Sequence, residues 1–94
     1  MNTITVQEYR GPHRIRLNKL QTQLFLHELA RVKRSRAGRK GAPPLASPDC
    51  LITVSTGQRK THYALYGRAM LVQPKAYRTW QFYFGLLLLE WLYR

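Results

Sequence analysis

The densest group of side chains that could bind a ligand is a run of cations between residues 31 and 41, "RVKRSRAGRKG". It contains six lysines or arginines and no acidic residue. Such side chains bind phosphate, and arginine does so through two parallel hydrogen bonds. The segment therefore predicts a polyanion site, and the alternative is a solvated basic surface without a ligand. The predicted binding residues here are Arg31, Lys33, Arg34, Arg36, Arg39 and Lys40.

A second candidate segment, "GQRKTHYALYGR" at residues 57–68, mixes cations with aromatic side chains. Cations can contact phosphates while aromatic rings stack on bases, which is how several protein surfaces bind nucleic acid. Tyr63 and Tyr66 are three residues apart and would point to opposite faces of a strand, so we expect at least one ring to be accessible. The predicted binding residues of this segment are Arg59, Lys60, Tyr66 and Arg68.

The same segment also permits an enzymatic hypothesis, a small ribonuclease of toxin type that needs no metal. Phosphodiester cleavage requires a group that moves protons and cations that stabilise the transition-state phosphate. His62 and Tyr66 are the candidate proton-transfer groups, and Arg68 is the candidate cation, with Arg59 and Lys60 as further cations. A lone histidine in a strand is more often structural, so we expect binding without catalysis.

Metal and cofactor sites are not indicated by the spacing of the remaining reactive residues. His13, His27, His62 and Cys50 are scattered, without a pair at the spacing of a zinc site. The segment "STGQRKT" lacks the glycine spacing of a phosphate-binding P-loop. We therefore expect no metal and no cofactor, and we interpret Cys50 as a small buried apolar residue.

The composition supports a polyanion partner more strongly than either segment does alone. The 94 residues carry a net charge of +12, from 16 lysines and arginines against four acids. The excess is distributed over both halves of the chain, so the folded body itself is cationic. A surface that serves only solubility usually mixes both signs of charge. Arg14, Arg16 and Lys19 are candidates to extend the binding surface.

The hydrophobic pattern predicts one α+β domain spanning residues 1–94. Alternation predicts a strand at 3–9 and further strands between 50 and 72, with a turn at Gly57. Leu17, Leu20, Leu24 and Phe25 predict an amphipathic helix over 17–33. Residues 35–49 are interpreted as a flexible, basic linker rich in glycine and proline. We expect a short antiparallel sheet of three to four strands packed against this helix and an apolar C-terminal helix.

The C-terminal segment "WQFYFGLLLLEWLYR" is apolar on nearly every side if it forms a helix. A chain of this size has difficulty covering such an element completely. It is therefore interpreted either as the central helix of the core or as part of a dimer or partner interface. In the second case Trp91 and Tyr93 are the expected anchors.

These observations predict a small basic protein that binds RNA or DNA, mainly through phosphates, and that could serve as a bacterial or phage regulator or inhibitor. Two alternatives stay open: the ribonuclease, and a protein-interaction module that docks an acidic partner or dimerises. The single cysteine fits a reducing compartment. The start "MNTITVQEYR" does not have the pattern of a signal peptide, so we expect a cytoplasmic protein that does not use a membrane.

Overall fold

A computed structural model describes residues 2–35, 39–40, 47–67, 70–73, 78–82 and 84–94. These residues form a mixed α+β structure, as predicted. The elements in chain order are β1 (Asn2–Glu8), β2 (Arg14–Arg16), α1 (Lys19–Ser35), β3 (Arg39–Lys40), β4 (Cys50–Thr56), β5 (Arg59–Tyr66), β6 (Met70–Gln73), β7 (Arg78–Gln81) and α2 (Gly85–Tyr93).

The strands of the described residues form one antiparallel sheet in the order β2-β1-β4-β5-β6-β7-β3. The predicted sheet of three to four strands is therefore too small, since the described part of the chain contributes seven. Two of the additional strands, β2 and β3, have only three and two residues. Strands so short cannot show the alternation from which a strand is recognised.

The hairpin of β4 and β5 at the centre of the sheet confirms the predicted turn. Gly57 lies between the two strands with φ of +59°, a left-handed conformation that glycine adopts without a steric penalty. The register pairs Thr56 with Arg59 next to the turn and Cys50 with Leu65 at the far end. The sequence prediction of β1 and β6 is also confirmed, with small shifts at their ends.

Both helices cover one face of the sheet, which we call the helix side. Alternate residues of the strands point to this face and are buried, as Ile4 and Val6 of β1 show. The helices contribute Phe25 of α1 and Leu88 of α2, both with no exposed area. The Phe25 and Phe82 rings pack edge to face with centroids 5.6 Å apart. This core lies on the helix side and leaves the other face of the sheet without a described helix.

Helix α1 begins one residue after Asn18, whose side chain caps it. The Asn18 Oδ1 atom accepts a hydrogen bond from the Gln21 backbone N–H at 2.8 Å, and Gln21 Oε1 accepts one from the Asn18 N–H at 2.9 Å. These reciprocal bonds satisfy donors that the first helical turn leaves without partners. Asn18 therefore sets the boundary of the helix, which the leucine spacing had placed at residue 17.

The buried stripe of α1 differs from the predicted stripe. Phe25 and Leu29 are buried, but Leu20 and Leu24 are 64% and 46% exposed. Leu26 is partly buried against the core. Phe25, the largest of these side chains, is fully buried and packs against Phe82. Leucine spacing by itself did not determine which side of the helix is buried.

The prediction of a mostly helical C-terminus was wrong for its first part. Residues Arg78–Gln81 form strand β7, in which Trp80 is paired with Leu71 of β6. Aromatic and β-branched residues favour a strand when a neighbouring strand is present to pair with them. Helix formation is confined to the leucine-rich part that begins at Gly85. Within the described ranges, no helix has the length and apolar character needed to cross a membrane.

Candidate nucleic-acid interface

The face of the sheet opposite the helices, which we call the open face, carries a polar and basic row of residues across four strands. The register places Arg16 of β2 beside Thr5 of β1, Thr5 beside Thr53 of β4, and Thr53 beside His62 of β5. Paired residues in adjacent antiparallel strands point to the same face. With strands about 4.8 Å apart, this row runs ~14 Å across the sheet.

Two further rows flank this one on the open face. Arg14 is paired with Gln7 and Gln7 with Leu51, while Thr3 is paired with Ser55 and Ser55 with Lys60. The rows surround a shallow depression with a volume of about 600 Å³. Its lining comprises Thr5, Gln7, Arg14, Leu51, Thr53, Ser55, Lys60 and His62 of this face, together with Tyr63, whose side chain the register places on the helix side. It therefore offers cations, hydroxyl groups and an amide, and none of its lining residues is acidic.

None of the four acids of the chain lines the depression. Glu28 and Glu90 belong to the helices, where they form ion pairs with Arg31 and Arg94. The Asp49 carboxylate accepts a hydrogen bond from the Gly67 backbone N–H at 2.6 Å. Glu8 is paired in register with Cys50 on the helix side. The cations of the open face consequently lack local neutralisation, whereas part of the helical charge is neutralised.

Glu8 takes part in a polar contact that fixes α2 to the start of the sheet. The Tyr93 hydroxyl donates a hydrogen bond to the Glu8 carboxylate, which also contacts His13 Nδ1 at 3.1 Å. The bond from Tyr93, followed by that from His13, lowers the pKa of Glu8. The same carboxylate raises the pKa of Tyr93 to about 12. The edge-to-face contact of the His13 and Tyr93 rings adds to this connection.

The structure brings only part of the predicted binding residues to the open face. Lys60 lies there and lines the depression, and Tyr66 shares the same face of β5. Arg59 is exposed at the hairpin tip but faces the helix side in register with Thr56. Arg31 lies on α1, where its guanidinium binds Glu28, which raises the pKa of Arg31 and lowers that of Glu28.

The remaining predicted residues of the two basic segments are only partly described. Arg36 and Arg68 lie outside the described residues. For Arg34, Arg39 and Lys40 the description covers the backbone alone, with the last two forming β3 inside the predicted linker. The other linker residues with described positions are Ser35, the last residue of α1, and residues 47–49. The two basic segments are thus not a single surface among the residues whose side chains are described.

Lys33 has a structural environment that its charge alone does not indicate. Its Nζ donates a hydrogen bond to the Tyr63 hydroxyl at 2.8 Å. The same atom lies 5.3 Å from the centroid of the Tyr63 ring and 5.4 Å from that of Trp80, distances typical of cation–π contacts. Tyr63 is buried on the helix side. Lys33 therefore connects the last turns of α1 to the sheet, on the face opposite the depression.

The proposed catalytic residues do not form a compact group. His62 Nδ1 and Thr53 Oγ1 are 3.3 Å apart and share a hydrogen bond across the two strands. Tyr66 follows His62 by four residues in the same strand, which separates their Cα atoms by about 13 Å. Arg68, the third member, lies outside the description. In the part of the chain that the structure describes, no three His, Cys, Asp or Glu residues are close enough to hold a metal ion.

The two predicted interface anchors occupy different environments on α2. Trp91 packs against the rim of the core, with its ring 5.6 Å from that of Phe84. Tyr93 is 50% exposed and is held by Glu8.

The single cysteine, Cys50, has no exposed area, and its burial raises the pKa of the thiol to about 12.

Several residues of the open face were not predicted from the sequence. Thr5, Gln7, Leu51 and Thr53 carry no charge and did not stand out by type. A signal was present in the alternation of β1 and β4, because residues between buried positions must point to the opposite face. Arg14 was predicted only to extend the binding surface, yet it lines the depression.

No protein-family model matches the chain, and no curated protein or solved structure matches it significantly.

Proposed function

We propose that the protein binds nucleic acid through the open face of its sheet. The observation that carries the proposal is the separation of charge: Arg14, Arg16 and Lys60 share the open face, while none of the four acids lines its depression. A surface whose charges are all positive attracts a polyanion. Binding then releases the counterions that had condensed on the polyanion. The hydroxyl groups of Thr5 and Thr53 supply additional partners for phosphate and sugar oxygens.

The proposal moves the binding surface away from the 31–41 segment. Of that segment's described side chains, Arg31 binds Glu28 and Lys33 binds Tyr63. Lys60 and Arg14 have no acidic neighbour in the depression that they line. Their charges therefore remain free to bind an external phosphate. The rest of the positive charge contributes to the general attraction at long range, which salt screens.

The decisive experiment compares two variants that lose the same charge from opposite sides of the molecule. Arg14→Gln with Lys60→Gln removes two cations from the open face, while Arg31→Gln with Arg94→Gln removes one from α1 and one from the residue that follows α2. Binding of a labelled oligonucleotide is followed by fluorescence anisotropy at several salt concentrations. The logarithm of the binding constant falls linearly with the logarithm of the salt concentration. Each lost phosphate contact reduces the steepness of this line by about 0.7 for a single strand and by about 0.9 for a duplex.

The open-face variant should reduce this steepness by about 1.4 to 1.8. Because the lines of the wild type and the variant meet at about 1 M salt, binding at 0.1 M should be weaker by about 25-fold or more. The helix variant should retain the wild-type slope to within a few tenths. Equal losses in the two variants would assign binding to the overall field rather than to the open face. If the wild-type protein binds neither RNA nor DNA at low ionic strength, the proposed function is wrong.

A further inference from the structure

The open face carries apolar groups as well as cations. Leu51 lies within the depression and is 42% exposed, and Met70 of β6 is 40% exposed. Tyr66 is paired with Met70 in register, so its ring belongs to the same face. Leu51 is paired with Ala64, two residues before Tyr66 in β5. Ala64 and its partner Val72 on this face are buried, so the exposed apolar side chains lie around them, from Leu51 in the depression to Met70 in β6.

A double helix would interact favourably with the cations of such a surface but not with its apolar side chains. The bases of a duplex are stacked inside it, and a broad sheet face meets the sugar–phosphate backbone first. The apolar side chains would then lie against charged phosphates, which is unfavourable because those phosphates would lose water without gaining a partner. Unpaired bases present apolar ring faces that pack on aliphatic side chains and stack on tyrosine.

We infer that the ligand of the open face is a single-stranded polynucleotide, with its phosphates on Arg14, Arg16 and Lys60 and its bases against Leu51 and Tyr66. This inference rests on the proposed function and makes it more specific. The arrangement combines a cationic groove with a platform for bases, which is the combination that single-strand binding requires. Affinity then depends on ring contacts as well as on charge.

The test measures the affinity for a short mixed-sequence oligonucleotide as a single strand and as a duplex, by fluorescence anisotropy at one salt concentration. The single strand should bind at least about tenfold more tightly. Tyr66→Ala should weaken single-strand binding by about 5- to 150-fold, which corresponds to the loss of one stacked base. Its effect on duplex binding should be less than about twofold, because a duplex offers no free ring.

Leu51→Asn provides a second variant at a position that is already partly exposed, and urea unfolding checks its stability. It should weaken single-strand binding by about threefold or more. Leu86→Asn is the matched control, because Leu86 is 53% exposed on α2, and it should bind as the wild type does. Circular dichroism and urea unfolding check that Tyr66→Ala remains folded.

The outcomes separate the inference from the proposed function. Equal or tighter binding of the duplex overturns the inference and leaves nucleic-acid binding intact. The same holds if Leu51→Asn and Leu86→Asn have equal effects, or if Tyr66→Ala weakens both ligands alike. Absence of binding to either ligand at low salt overturns the proposed function and the inference together.

Discussion

The contact of Lys33 with Tyr63 and Trp80 makes a prediction that distinguishes a structural cation from a ligand-binding one. Replacing Lys33 by Met keeps most of the aliphatic stem and removes the charge. The substitution abolishes the hydrogen bond to Tyr63 and both cation–π contacts. We therefore expect Lys33→Met to destabilise the fold while leaving nucleic-acid binding nearly unchanged.

The magnitude follows from the number and exposure of the contacts. A hydrogen bond to a charged group contributes about 1.5–3 kcal/mol, and we take ~1 kcal/mol because the lysine itself is exposed. Two cation–π contacts at an exposed site add about 0.5 kcal/mol each at the lower end of their range. Lys33→Met should thus lower the free energy of unfolding by about 2 kcal/mol, and Tyr63→Phe, which removes only the hydrogen bond, by about 1 kcal/mol.

The assay is a double-mutant cycle measured by urea unfolding. Because Lys33→Met already removes the partner of the Tyr63 hydroxyl, the double variant should be about as stable as Lys33→Met alone. The coupling energy should accordingly be near 1 kcal/mol. The melting temperature of Lys33→Met should fall by roughly 8–16 °C for a domain of this size. Additive effects of the two substitutions, or a large loss of oligonucleotide affinity with unchanged stability, would refute this assignment of Lys33.

Two further predictions concern titratable groups on the helix side. Cys50 should react with iodoacetamide about a thousandfold more slowly in the native protein than in urea. The reason is that its pKa rises from 9.0 to about 12 and that the residue has no exposed area. Equally fast labelling in both states would contradict its burial. The stability difference between wild type and Tyr93→Phe should be greatest between pH 4.5 and 10.0, where Glu8 is ionised and Tyr93 is protonated in both folded and unfolded chains. Folding lowers the pKa of Glu8 and raises that of Tyr93. The difference in urea midpoint between the two proteins should therefore shrink below pH 4.5 and again as the pH approaches 12. A constant difference at acid pH would show that the bond to Glu8 does not stabilise the fold.

The central hairpin and the first helix could be predicted because their signals are local. Gly57 lies between two runs that alternate apolar and polar residues, and the register follows from that turn. Strand β7 could not be predicted in the same way. Trp80 is compatible with a helix by sequence, and its strand conformation depends on pairing with Leu71, which no local pattern shows.

The residue types of the candidate site could be predicted more reliably than their grouping. Lys60 and His62 were recognised as ligand-binding candidates by type, but their neighbours Arg14 and Thr5 come from strands about 50 residues away. Lys33 illustrates the opposite failure. Its charge indicated phosphate binding, whereas its contact with Tyr63 spans 30 residues and becomes visible only when α1 is placed on the sheet.

The short strands at the two borders of the sheet have a consequence for how the protein behaves at high concentration. β2 contains Arg14 and Arg16, and β3 consists of Arg39 and Lys40. A border strand has backbone groups free to pair with another molecule, and natural proteins prevent such pairing with short, charged borders. Mutual repulsion between copies should weaken as the Debye length falls from about 10 Å at 0.1 M salt to about 3 Å at 1 M. Concentrated solutions should consequently stay clear at low ionic strength and turn turbid on addition of salt, which is the reverse of the salting-in seen for many proteins.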